Sequence, residues 1–207
     1  MEDRKLNEKE SLELITQMIR NTRRNLDAGG GNMFLLWGYV GVVVTLGVLA
    51  VWYLTGNAVA LWGFWALPVV GWPLSWWFGR KWRKERGAKD YTDRVVGQVW
   101  QIVSIACCAV VGFATLYHRY EMILPLCGLL VSLGSLLTGI IIRYTLFSGL
   151  PSCGFAWSLE QVFEVATDGA SMDTLIIFVL ILLFSLVIPG HVLNRRVRKE
   201  VSGKGGE

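Results

Sequence analysis

Glu160, Gln161 and Glu164 stand near the end of an otherwise apolar stretch, Thr145 to Thr167, and are the residues best placed to do chemistry. Residues four apart share a helix face, so the two carboxylates project together, with Cys153 and Trp157 further along the same side. A carboxylate in hydrocarbon costs on the order of a few kcal/mol unless it is paired, hydrated or protonated. Such a cluster could hold a cation, relay a proton, or pair with Arg119 or His118 from a neighbouring turn. The plainer alternative ends the apolar layer at Leu159 and leaves both as interfacial carboxylates.

His118-x-x-Glu121 could contribute to a metal site with Glu164 or Asp168. Such sites need three or four convergent ligands, and two in one short turn do not make one, so no metal is expected. His191, beside Pro189-Gly190, fits a helix-end or headgroup contact better than catalysis. No Walker loop, Rossmann fingerprint, HExxH or GxSxG occurs, which disfavours an enzyme on a familiar template; no catalytic residue or cofactor is assigned.

Two further groups are candidate surfaces. Trp62, Trp65, Trp72 and Trp76 recur at helical spacing and could line an aromatic groove for a lipid tail, or serve helix–helix packing. Arg80, Lys81, Arg83, Lys84 and Arg86 form a basic run suited to anionic headgroups or to a cytoplasmic protein partner.

These residues must be positioned by membrane helices. The chain is 53% hydrophobic and 17% charged, and Met33–Phe78 and Val95–Tyr117 carry no charge. A crossing helix needs about 20 apolar residues, and such runs exceed what a soluble core would hold. The fold class is an all-α integral membrane protein. Crossings are expected near 33–55, 58–79, 95–117, 122–142, 145–167 and 174–193: six transmembrane helices in three hairpins. Gly56-Asn57 supplies the first turn, and Pro68 and Pro73 predict local unwinding of the second crossing.

Ahead of them, Leu12, Ile15, Ile19 and Leu26 recur near helical spacing, opposite Glu13, Gln17, Arg20 and Arg24. This predicts an amphipathic cytoplasmic helix, capped by Asn7 and Glu10 and ended by Gly29-Gly30-Gly31. Residues 1–32 then form the helix and a glycine-rich hinge, 33–193 the transmembrane domain, and 194–207 a basic tail. Residues 1–28 lack the apolar core of a signal peptide.

Charge distribution fixes the expected topology. Six of the 20 basic residues precede the first crossing, seven lie in 80–94, one is Arg143, and five follow the last crossing. Six crossings put all of these on one side and leave only Arg119 opposite, as the positive-inside rule requires. Both termini are expected in the cytoplasm. The net charge of +4 belongs to this pattern and not to nucleic-acid binding. The four cysteines lie in apolar segments and read as packing residues.

Gly128-xxx-Ser132, Ser135-xxx-Gly139 and Ser148-xxx-Ser152-xxx-Ala156 predict close helix approach within the chain or between copies. Gln98, Gln101 and Ser104 give the third crossing a polar side expected to face the bundle interior.

Lys5-Leu6-Asn7-Glu8-Lys9-Glu10-Ser11 and Ile188-Pro189-Gly190-His191-Val192-Leu193-Asn194 resemble a group of small uncharacterised multi-pass membrane proteins of Bacteroides-type bacteria. The resemblance implies a bacterial inner membrane and carries no activity.

The leading expectation is a non-enzymatic interaction or regulatory membrane component. It would contact membrane lipids and a homo-oligomer or cytoplasmic partner. The alternatives are a small-solute or cation transporter using the intramembrane carboxylates, and a lipid-modifying enzyme built on Glu160, Glu164 and His118. For a transporter, two inverted halves would place Pro68 and Pro73 in correspondence with Pro151.

Overall fold

The computed structural model describes residues 8–85, 91–142 and 145–202, with side chains over 31–57, 59–80, 94–142 and 149–195. The described residues are almost entirely helical. Five segments are long and apolar enough to cross a membrane: Gly31–Thr55, Val59–Arg80, Arg94–Leu116, Tyr120–Ile142 and Met172–Arg195.

Helix α1 runs unbroken from Glu8 to Thr55, about 72 Å, so roughly half of it extends beyond any membrane core. It passes straight through Gly29-Gly30-Gly31, where the sequence predicts a stop. A glycine run ends a helix when other groups can take the freed backbone partners. Gly31 is instead buried against the last helix, where unwinding would leave backbone N–H and C=O groups unpaired. Asn7 and the side chains of the amphipathic face lie outside the described residues.

The first turn is built as its residues dictate. Gly56 takes φ +63°, a conformation favoured by glycine, and the Asn57 side chain caps the next segment by accepting from the Val59 N–H at 3.0 Å. That segment, Ala58–Trp65, is wound as a 3-10 helix before α2, Ala66–Glu85, begins. The irregular winding lies just ahead of Pro68, and Pro73 sits inside α2.

Helix α3 spans Tyr91–Leu116, and α4 spans Ile123–Ile142 after a short 3-10 turn at Tyr120–Met122. Helix α5, Thr145–Asp168, lies along α4 and reaches that turn with its far end. The last rod comprises α6, Met172–Leu182, a π-helical turn at Leu183–Val187, and α7, Ile188–Ser202.

Two close pairings make the core: α4 with α5, and α1 with the last rod. Gly31, Phe34, Gly38, Gly41, Thr45 and Val48 are buried on α1 at alternating spacings of three and four, the period of a coiled-coil seam. Gly38 lies over Val187 and Gly41 over Leu182, so the two run antiparallel at backbone contact. Leu175, Phe178, Leu182, Leu186 and Leu193 complete this seam with Phe34 and Val48.

Helices α2 and α3 are peripheral. Half of the apolar stretch of the last span is buried, against 6% for Val59–Arg80 and 11% for Arg94–Leu116. Helix α2 rests on α1, with Gly71 against the Trp37 ring, and α3 rests chiefly on α4, with Val103 filling the notch at Gly134.

Trp62, Trp65, Trp72 and Trp76 are all exposed, so the helix–helix packing alternative does not hold within this chain. Trp62 and Trp65 belong to the 3-10 segment, where three residues make a turn and the two rings fall in line, and Trp72 and Trp76 lie one turn apart in α2. In α3 the expectation is also reversed: Gln98, Gln101 and Ser104 point outward. The inward face is Val103 and Trp100, whose indole N–H donates to Thr138 Oγ1 at 3.2 Å and whose ring meets Phe34 edge-on at 5.1 Å.

Candidate functional site

Most of the buried polar residues gather where α4, α5 and the last rod meet. Helix α5 turns Pro151, Gly154, Ser158, Gln161 and Val165 inward, a face of spacing three and four. Helix α4 answers with Pro125, Gly128, Ser132, Ser135 and Gly139. The small-residue pairs predicted on α4 are therefore buried. On α5 the prediction needs correction: Ser152 and Ala156 are exposed, and the close-approach position is Gly154. Only a hydrogen fits there, because a Cβ would overlap Ser185 Oγ and stand 3.1 Å from Ser132 Oγ. Ser148 lies outside the residues whose side chains are described.

The π turn has a local cause. Proline has no N–H, so Pro189 cannot bond the carbonyl of Ser185 four residues earlier. The helix widens over Leu183–Val187, with the Ile188 N–H donating to Leu183 O. The Ser185 carbonyl takes its hydrogen from the Ser135 hydroxyl of α4, and Ser185 Oγ pairs with Ser132 Oγ at 2.8 Å. One proline thus converts a helix-internal bond into a bond between helices. Ser135→Ala is expected to cost about 1 kcal/mol, and clearly less in a Pro189→Ala background where the backbone bond can re-form. Thermal unfolding of the four proteins of this cycle in one detergent checks it.

The sequence-predicted residues are only partly brought together. Gln161 is 2% exposed, and its Nε2 donates to Glu164 at 2.6 Å, while its Oε1 is buried without a partner among the described residues. Glu164 is half-buried and Glu160 is exposed on the outer side of α5. Arg119 pairs with Glu121 at 3.4 Å, in a turn where His118 takes φ +55° and contacts the Tyr120 hydroxyl at 3.3 Å. Among the described residues, Arg119 and His118 bond neither Glu160 nor Glu164, and no three His, Cys, Asp or Glu side chains converge.

At the opposite end, Arg80 is exposed with its guanidinium 3.7 Å over the Trp76 ring, a cation–π contact at the end of the second span. The side chains of Lys81, Arg83 and Lys84, and all of Arg86, lie outside the description. His191 accepts or donates a 2.6 Å bond with the Tyr39 hydroxyl, and Asn194 donates to Asn32 at 2.7 Å. Both contacts tie α1 to α7, so His191 has a side-chain partner that the sequence reading did not identify.

Pro189 and the α1 glycines are the residues that sequence reasoning missed. Their signals were present: a proline four residues after a serine in an apolar run, and glycines at 31, 38 and 41 in phase with Phe34, Thr45 and Val48. No family model matches the chain, and no curated protein or solved structure matches it.

Proposed function

We propose that this chain is a six-span, non-enzymatic interaction component of a bacterial inner membrane, with both termini in the cytoplasm. The observation that carries this reading is the uneven use of helix surface. Helices α1, α4 and α5 and the last rod close on one another, and most of their buried hydroxyls bond neighbouring side chains or backbone carbonyls. Helices α2 and α3 are left mostly open, and α3 turns amides outward.

A crossing by α5 is supported by its place beside α4 and by its length, about 36 Å, enough for a hydrocarbon core of about 30 Å. Its lower hydropathy comes chiefly from Glu160, Gln161 and Glu164 near its far end, of which Gln161 faces protein and Glu164 is half-buried. An even number of spans also keeps the basic tail with the basic 80–94 segment.

Impermeant thiol labelling in a cysteine-free background tests the topology. Arg119→Cys should label from outside, and Gly205→Cys only after permeabilisation; labelling of both from outside removes the six-span reading. Cross-linking in native membranes should recover a stoichiometric neighbour, whether a second copy or another protein. A chain without any neighbour would sink the interaction role.

A second reading, a transporter of a small cation, draws on the buried Gln161 Oε1 beside Glu164. Cation flux into vesicles that is lost in Gln161→Leu would support it, and its absence in the parent protein would exclude it.

A further inference from the structure

We infer that α3 is the seam of a parallel homodimer, in which Gln101 of one copy hydrogen-bonds Gln101 of a second. This rests on the interaction role proposed above and names its partner. The carrying observation is that Gln98 and Gln101 are exposed on a membrane-length helix and make no hydrogen bond among the described residues. Gln101 lies about 10 Å along the axis from Arg94, at a depth where acyl chains offer its amide neither donor nor acceptor.

The surroundings fit a second helix. At 3.6 residues per turn, Gly97, Gln101, Ser104, Cys108, Gly112 and Thr115 fall within roughly 80° of one face, and all are exposed. Nothing lies within 4 Å above Gly97 or Gly112, so another backbone can approach closely there. Ser104 and Thr115 already donate to their own helix, at Trp100 O and Val111 O, which leaves the amides as the unmet demand.

Symmetry selects the occupant. All copies insert in one orientation, so a two-fold axis along the membrane normal sets each residue of α3 beside itself at one depth. A carboxamide carries donor and acceptor and can satisfy its own copy. The face from Val95 to Leu116 has no formal charge that would select a different partner. Arg94, on the same arc, lies at the boundary, where salt and headgroups screen like charges.

Cys108 reports on this seam, being exposed on the same face, whereas the exposed Cys153 belongs to α5. The full-length protein is placed in phosphatidylethanolamine–phosphatidylglycerol vesicles over a range of protein-to-lipid ratios and oxidised with copper–phenanthroline. A disulfide-linked dimer is expected, lost in Cys108→Ala and kept in Cys153→Ala. Gln101→Leu should raise the ratio needed for half-maximal dimer by about three- to thirty-fold, with Gln101→Asn closer to the parent. The inference is overturned by a monomer at every ratio, by a dimer linked only through Cys153, or by no effect of Gln101→Leu. A different protein cross-linked along α3 in native membranes, with no homodimer, also overturns it and leaves the interaction role standing. If no neighbour of any kind is found, both fall.

Discussion

Gly154→Leu is expected to prevent the bundle from assembling, and Gly154→Ala to lower its stability by about 1–3 kcal/mol, the usual range for overpacking a filled core. At this position a Cβ would overlap Ser185 Oγ, and Ser132 Oγ stands 3.1 Å away on the other side. Ser185 has little freedom to withdraw, since its hydroxyl pairs with Ser132 and its carbonyl holds the Ser135 hydroxyl. The Ile181 carbonyl, at 3.5 Å, bounds the same space with rigid backbone. Gly149 is the control, because nothing lies within 4 Å of its Cβ position and alanine there gains helix propensity. Trimming Ser185 to alanine should recover part of the loss in Gly154→Ala, as the clash partner is removed. The readout is thermal unfolding for the alanine variants and the folded fraction by size-exclusion chromatography for leucine. Equal stability of Gly154→Ala and Gly149→Ala would show that the three elements do not meet as described.

Gly38→Leu should detach α1 from the last rod, with an effect of similar size. Its Cβ would lie 2.7 Å from Val187 Cγ2, 3.1 Å from Leu186 Cβ and 3.3 Å from the Val187 backbone nitrogen. The last of these cannot move without shifting the π turn. The helices would separate by the width of a side chain, and the contacts of Phe34 and Val48 with that rod would open with them. Loss should show as proteolytic release of the segment before Met33 and as a lower melting temperature. Gly47→Leu on the same helix, where nothing lies within 4 Å, should leave both near the parent values. Indistinguishable behaviour of the two variants would mean that α1 is not seated on this rod.

Much of this architecture is written in composition and periodicity. Charge-free runs fix where most of the helices lie, because hydrocarbon forbids unpaired backbone and admits few ions. The lopsided placement of Lys and Arg carries the expected orientation, and Gly56-Asn57 specifies its turn through local backbone preference alone. The small residues of α4 announced a close approach. Which surface of each helix faces protein was decided by the tertiary structure. In lipid, polarity does not report burial as it does in water, so Gln101 and Gln161 look alike in sequence. One lies on the open surface of α3, and the other is enclosed beside Glu164. Helix continuity through Gly29–Gly31 was likewise fixed by a neighbour, Gly190, whereas the widened turn begins with Pro189 itself and only the partner of its freed carbonyl, the Ser135 hydroxyl, came from the fold. Local preference sets what a segment can form; the partner that satisfies its backbone and fits its surface decides what it does form.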